Sequence, residues 1–256
     1  MKKLLAWDTS SKAAAIAALE CSSCLSLVSE FSFNCDCSHS ERLVWGIHQT
    51  LEAARWQLEE VDLFAVGVGP GSFTGLRIGI TTARSFAHLL KKPLVGVSSL
   101  AALARPVALS FSQSGCEWDP WVIATTDACK GELFALWGKA QELVQSGGVE
   151  RVTSPEKLIQ ILSQQILAEG KKGRWVAVGE GRKRYPELWA QLPLSQELVS
   201  PLLGADFVQG RMLGQLAWEA YQQGRAQDAL SVFPSYLRAS DAELKLKAGL
   251  LKTVGL

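Results

Sequence analysis

Two aspartates occupy corresponding places in the two halves of this 256-residue sequence, each at the end of a predicted strand. Asp8 is followed by Thr9 and Ser10, and Asp127 closes the strand predicted at 121–126. Paired carboxylates can hold a magnesium–phosphate group or act in acid–base chemistry. Alternatively, each aspartate caps the polar turn after its own strand. Because no second glycine-rich phosphate loop accompanies them, we predict no catalytic residue and keep Asp8, Thr9, Ser10 and Asp127 as candidates for binding a cofactor in a cleft.

The histidines and cysteines do not form a convincing metal-binding pattern. Leu43, rather than a second histidine, follows His39 by one helical turn, and the other histidines lie at 48 and 88. Cysteines 21, 24, 35 and 37 could supply four thiolates to zinc, but the second pair has only one intervening residue. We favour free cysteines in a reduced compartment and predict no metal site. The sequence also lacks a Gly-x-Ser-x-Gly nucleophile motif.

A glycine-rich loop within residues 67–79 joins a predicted buried strand to an apolar helix. Its glycines permit positive φ and close approach of the backbone, and Ser72 or Thr74 can cap the helix. The start of the helix is a potential anion site, but a nucleotide P-loop needs Lys followed by Ser or Thr. Leu76 and Arg77 follow Gly75 instead. We therefore favour a structural turn or a surface for a partner.

Small residues recur at every fourth position of this helix and form one stripe. Such a stripe lets another element approach closely. The pattern favours a central helix of the chain's own core, and the alternative is a helix with one face on its sheet and another on a partner. The stripe consists of Gly75, Gly79, Ala83 and Ala87.

Composition is that of an ordinary globular chain. It is 48% hydrophobic and 20% charged, with a net charge of +1. No strong field therefore favours bulk attraction to nucleic acid or to a membrane surface. The first apolar run ends at Asp8, too early for a signal peptide, and no run approaches a membrane span. We expect a cytoplasmic protein.

Hydrophobic periodicity predicts an α/β chain whose second half repeats the order of the first. The first half contains strands at 3–8, 13–19, 25–31, 61–68 and 94–97, with helices at 41–58, 75–90 and 98–104. The second half contains strands at 121–126, 132–138, 148–152 and 174–178, with a helix from 155, another at 207–223 and an extended segment at 234–238. We place the two lobes at 1–110 and 111–256. Ligands of such folds bind in the cleft between the halves.

Short motifs, in order along nearly the whole chain, resemble those of the bacterial TsaB (YeaZ) family. The run at 69–79 is long and highly specific. Weaker matches lie at 6–10, 39–43, 96–100, 127–128, 131–132, 179–181 and 234–238. The sequence departs from the family at Trp7, at Cys129 and Lys130, and in the cysteine-rich segment 21–37.

This resemblance implies a two-lobed actin/hexokinase-like ATPase (ASKHA) fold with duplicated βββαβα lobes. It implies a non-catalytic partner required by the transferase TsaD, which modifies adenosine 37 to threonylcarbamoyladenosine (t6A) in tRNAs reading ANN codons. TsaD holds its metal with a His-x-x-x-His pair that is missing here. The resemblance also implies no cofactor of the chain's own, with ATP or ADP possible at the boundary of the complex. The implied partners are TsaD, the ATPase TsaE, a second copy of the chain in isolation and, only through the complex, tRNA.

The partner surface implied by the resemblance lies on helices of the first lobe. The predicted interface residues are Glu41, Ile47, Leu51, Gly71, Phe73, Thr74, Gly75, Arg77, Gly79, Ala83 and Ala87. The alternative function is a stand-alone nucleotide-hydrolysing or glycoprotease-like enzyme that uses Asp8 and Asp127.

Overall fold

A five-stranded sheet forms the first half of the fold. The computed structural model describes these ranges of the chain: 1–34, 39–113, 119–168, 174–192 and 206–238. The strands of the first sheet are β1 (Lys2–Asp8), β2 (Ala13–Cys21), β3 (Leu25–Asn34), β4 (Leu63–Gly69) and β5 (Leu94–Ser98). Their order is β3-β2-β1-β4-β5. The first three strands are antiparallel neighbours, whereas β4 and β5 run parallel to β1.

The second sheet repeats this arrangement. Its strands are β6 (Trp121–Asp127), β7 (Leu133–Lys139), β8 (Val149–Thr153) and β9 (Trp175–Val178). Their order is β8-β7-β6-β9, with β9 parallel to β6 and the other neighbours antiparallel. The predicted duplication is therefore confirmed, and β1 and β6 are equivalent strands.

The described helices differ from the predictions mainly at their ends. They are α1 (His39–Ala54), α2 (Phe73–Leu90), α3 (Ser99–Gln113), α4 (Ala140–Gln145), α5 (Pro155–Ala168), α6 (Glu180–Arg184), α7 (Pro186–Trp189) and α8 (Gly210–Gln222). Helix α1 ends before the predicted residue 58, because Arg55 has a positive φ and a short 3₁₀ helix, Leu58–Glu60, follows. Helix α3 continues far beyond the predicted residue 104 and carries Pro106 in its interior.

Helices and sheets stack in alternating layers. Helices α1 and α2 cover one face of the first sheet, and α5 covers the outer face of the second sheet. The largest core cluster lies between the two sheets and includes residues of α3, α4 and α8. In this layer Arg105 of α3, only 5% exposed, pairs with Glu219 of α8 and donates to the Val144 carbonyl at 2.8 Å.

The chain crosses between the lobes near its end. Helix α8, from the second half of the sequence, packs on strands of the first sheet. The predicted division between residues 110 and 111 falls inside α3, which contacts strands of both sheets. The boundary between the lobes itself stays a prediction.

Trp7 fills the centre of the layer between the first sheet and α2. Its side chain is fully buried and makes edge-to-face contacts with Phe64 and Phe86. Its Nε1–H donates to the carbonyl of Gly79 at 3.1 Å. This hydrogen bond satisfies the buried indole N–H and joins β1 to α2.

Candidate functional site

The Asp8 carboxylate is fully buried and is held by the chain's own serines. Its Oδ1 accepts from the N–H and the Oγ of Ser10 at 2.9 and 2.6 Å, and its Oδ2 accepts from Ser99 Oγ. A Cβ at Gly67 would lie 1.8 Å from Oδ2, so this glycine makes room for the carboxylate. Asp8 thus caps the turn after β1, and an engaged, enclosed carboxylate does not fit the magnesium–phosphate group that the fold implies.

The turn after β1 is pressed against the start of α2. Thr9 Oγ1 donates to the Gly75 carbonyl at 2.7 Å, and the Ser72 N–H donates to the Ser10 carbonyl at 2.6 Å. A Cβ at Gly75 would lie 2.0 Å from the Thr9 carbonyl oxygen, and a Cβ at Gly71 would lie 2.3 Å from the Ser10 carbonyl oxygen. The glycine loop therefore serves close packing within the chain.

The stripe of small residues in α2 lies inside the molecule. Ala83 and Ala87 are 0% and 1% exposed, and both belong to the core beside the first sheet. A Cβ at Gly79 would lie 2.2 Å from Thr9 Oγ1, and Gly75 is buried against the same turn. The interpretation of the stripe as a partner contact is corrected, because the close approach is to the chain's own β1–β2 turn and sheet.

The other predicted interface residues divide between core and surface. Ile47 and Leu51 are 2% and 7% exposed and also belong to this core. The side chain of Glu41 lies outside what the structure describes. Those that reach the surface are Phe73, Thr74, Arg77 and, in part, Gly71.

Helices α1 and α2 expose apolar side chains that the sequence-based list omitted. Val44 and Trp45 of α1 are each 52% exposed, and Leu89 of α2 is 76% exposed. His48, one turn after Val44, is exposed as well. The two helices contact each other. We call Val44, Trp45, His48 and Leu89 the helix-pair face. The sequence signal that could have found this face is an apolar residue at a helix position outside the core-facing spacing.

A cavity of about 750 Å³ lies between the turn after β1 and the turn after β6. Asp127 lines this cavity, and its Oδ2 lies 3.2 Å from the Arg184 Nε. Its Oδ1 accepts the N–H of Cys129 at 3.0 Å. Asp127 therefore reaches the cleft as part of an ion pair, whereas the Asp8 carboxylate is turned into the protein, and the two do not form a shared site.

Glu180 is a second carboxylate on this cavity, and the sequence did not single it out. Burial raises the pKa of Glu180, and the nearby charge of Asp127 raises it further, whereas Lys12 from the first lobe opposes the shift. A carboxyl group with a raised pKa between two lobes indicates a partly desolvated cleft.

The segment after the 3₁₀ helix Ala229–Ser231 runs along α2 to the cavity. The Ser235 N–H donates to the Val68 carbonyl at 2.8 Å. The Tyr236 ring stacks on Phe73, with centroids 5.1 Å apart and an interplanar angle of 28°. Arg77 Nε donates to the Tyr236 hydroxyl at 3.1 Å. These contacts hold the segment against the start of α2.

Arg238 continues this segment into the second lobe. It donates to the Ala128 carbonyl, and its Nε lies 3.3 Å from a carboxylate oxygen of Glu132. The family-like motif at 234–238 therefore connects the two sides of the cleft. This role is visible only from the hydrogen-bond partners, which lie far away in the sequence.

Within the described ranges, no group of three His, Cys, Asp or Glu side chains could hold a metal ion. His48 and His88 are exposed, and Leu43 is buried in the core. Cys21 is buried and Cys24 exposed, while Cys35 and Cys37 lie outside the described residues, so the zinc alternative is not tested. No helix in the described part of the chain is long and apolar enough to cross a membrane.

Comparison with known proteins agrees with this architecture. Residues 34–246 match the family described as TsaD: tRNA N6-adenosine threonylcarbamoyltransferase. The chain is 29% identical over 216 residues to the tRNA threonylcarbamoyladenosine biosynthesis protein TsaB of Escherichia coli K12, covering 83% of this chain and 86% of that protein. It is 26% identical over 250 residues to Bacillus subtilis TsaB, covering 94% and 96%.

A solved structure extends the comparison to three dimensions. A Pseudomonas aeruginosa protein described as uncharacterized, with similarity to peptidase YEAZ, has a TM-score of 0.72 and 28% identity, covering 93% of this chain and all of that one. The duplicated sheets and this likeness define a two-lobed α/β protein of the actin/hexokinase-like ATPase class. The chain belongs to the TsaD family and, within it, to the TsaB (YeaZ) group of tRNA threonylcarbamoyladenosine biosynthesis proteins.

Proposed function

We propose that this chain is a non-catalytic subunit of t6A biosynthesis that binds a TsaD-like transferase through the helix-pair face. The observation that carries the proposal is the exposure of Val44, Trp45 and Leu89 on two adjoining helices. Exposed apolar side chains on adjoining helices are typical of a protein interface. The buried, serine-bound Asp8 supports a role without catalysis of its own.

The apolar side chains of this face could contribute substantially to binding. Fully burying a Val or Leu side chain is worth roughly 1.5–3 kcal/mol. Because Val44 and Leu89 are already partly covered, about 1–2 kcal/mol each is a reasonable share. The polar His48 among them would contribute to orientation more than to affinity.

The same face supports the other associations of the proposed complex. In isolation, two copies would meet through it as an isologous dimer, which must separate before the transferase can bind. A TsaE-like ATPase would join the transferase complex, and tRNA would reach this chain only within it. ATP or ADP would bind at the boundary with a partner, because the chain's own Asp8 is engaged internally.

Reconstitution of tRNA modification with a TsaD-like transferase tests the proposal, with and without this chain. Leu89→Lys should lower transferase binding at least tenfold and modification with it, because a charge would be buried at the contact. The matched control is Leu167→Lys. Both leucines are the penultimate residue of a helix, at 76% and 61% exposure, but Leu167 lies on α5 of the second lobe.

Two outcomes would contradict the proposed function. One is equal modification by the transferase in the absence of this chain. The other is tight magnesium–ATP binding by the isolated chain that is lost in Asp8→Asn, which would favour an enzyme in its own right.

A further inference from the structure

A row of arginine and aromatic side chains lies along α2 and the segment beside it. We call Phe73, Arg77, Arg84, Phe233 and Tyr236 the arginine–aromatic ridge. The Arg77 guanidinium lies 4.0 Å from the centroid of the Phe73 ring, and the Arg84 guanidinium lies 5.1 Å from that of Phe233. Phe233 is 64% exposed and Tyr236 45% exposed. The ridge thus presents Arg77 and the aromatic rings to solvent, with the half-buried Arg84 beside Phe233.

The ridge carries positive charge, and no acidic residue accompanies it on the same two segments. Helix α2 contains Arg77 and Arg84 but no Asp or Glu, and residues 229–238 contain no acid either. Neither arginine forms an ion pair with a carboxylate of the described residues, although the whole chain carries a net charge of only +1. Two arginines held by rings rather than by carboxylates remain available to an anion.

We propose that the arginine–aromatic ridge binds an unpaired stretch of the tRNA in the transferase complex. This inference rests on the proposed function. Arginines without acidic partners suit phosphate groups, and exposed rings suit unstacked bases, which is the combination that binds single-stranded nucleic acid. An acidic protein surface would satisfy the arginines but would leave Phe233 without a specific partner.

The position of the ridge fits a complex in which transferase and RNA are bound side by side. Helix α2 contacts α1 along one flank and the 3₁₀ helix Ala229–Ser231 along another. Arg77 and Arg84 are seven residues apart, so they lie on the same side of α2, the side of Tyr236 and Phe233. A transferase bound to the helix-pair face would therefore leave the ridge open beside it.

The experiment measures binding of unmodified tRNA to the assembled complex at several salt concentrations. For single strands, each phosphate contact contributes about 0.7 to the slope of log K against log salt. The double variant Arg77→Gln/Arg84→Gln should lower this slope by about 1.4. Phe233→Ala should weaken binding about 5- to 150-fold, the range for loss of one stacked base. A single-stranded RNA should compete better than a duplex of equal charge.

Arg151→Gln is the matched control. Arg151 is exposed and also lies over an aromatic ring, that of Trp137, but on the edge strand of the second sheet. This substitution removes one positive charge and one contact of the same type, so it matches each of the two arginine substitutions singly, and it should change neither slope nor affinity. Transferase binding by every variant is measured in parallel, so that loss of the complex is distinguished from loss of RNA.

The proposal is overturned if the ridge variants assemble normally and bind tRNA with the wild-type slope and affinity. It is also overturned if they lose the transferase instead, since the ridge would then be a protein contact. If even the wild-type chain does not bind the transferase, the proposed function fails. RNA binding by the ridge is then tested with the isolated chain at low salt, where the wild type must bind single-stranded RNA more tightly than the double variant.

Discussion

Replacing Gly75 by alanine tests whether the small-residue stripe belongs to the core of the chain. The added Cβ would lie 2.0 Å from the Thr9 carbonyl oxygen, whereas real Cβ atoms essentially never approach closer than 3.0 Å. The obstructing atom is backbone, so it cannot rotate away. The helix and the turn must separate by about 1 Å, which would also loosen the Thr9 Oγ1–Gly75 carbonyl hydrogen bond of 2.7 Å.

The expected loss of folding free energy is the sum of two destabilising contributions and one stabilising contribution. Overpacking a well-filled core costs about 1–3 kcal/mol. Weakening the buried hydrogen bond adds about 1 kcal/mol. Alanine favours a helix over glycine by about 1 kcal/mol, which offsets part of this. Gly75→Ala should therefore lower the free energy of unfolding by about 2 kcal/mol, a change of roughly 30-fold in the folding equilibrium.

Urea unfolding followed by circular dichroism measures this change, with Thr81→Ala as the control. Thr81 is exposed on the same helix, so its replacement should alter stability by less than about 0.5 kcal/mol. A Gly75→Ala protein with wild-type stability that no longer binds the transferase would refute the reasoning. It would place the stripe at a partner surface after all.

Two further predictions concern buried titratable groups. Burial raises the pKa of Glu150, which accepts from Ser98 Oγ across the lobes. Between the unfolded pKa of 4.5 and the raised folded pKa, the native state binds more protons than the unfolded state, so the stability of the wild type should fall as pH rises. Glu150→Gln should lack this fall in melting curves recorded from pH 4 to 8. Equal falls in the two proteins would contradict the prediction. Burial raises the pKa of the Cys21 thiol to about 12, so iodoacetamide at pH 8 should modify the exposed Cys24 and Cys129 but spare Cys21, as mass spectrometry would show.

The order of elements along the chain and the duplication could be predicted because they depend on local periodicity and turn residues. The direction of the Asp8 side chain could not, because its partner Ser99 is 91 residues away in the sequence. The predicted α3 was too short, because packing between the two sheets keeps this helix intact through Pro106, which local sequence does not reveal. Tertiary contacts decide such cases over local propensity.

The stripe in α2 shows a more general limit of pattern reasoning. Small residues at every fourth position indicate that something approaches closely, but they do not say whether it is a partner or the same chain. Here the approaching element is the turn at Thr9, which is so far from α2 in the sequence that local patterns do not indicate the contact. The exposed positions Val44 and Leu89 are better pointers to a partner, because nothing in the described core requires them to be apolar.

The packing of α2 bears both on the environment of Asp8 and on the proposed binding surfaces. Gly71 and Gly75 let the turn after β1 pack closely on the start of α2, and in this turn the N–H and the Oγ of Ser10 both donate to the Asp8 carboxylate. Leu43, one helical turn after His39, is fully buried in the same core. The same packing keeps Asp8 bound by the chain's own serines and holds α2 against the first sheet. The helix can then present the helix-pair face on one flank and the arginine–aromatic ridge on another.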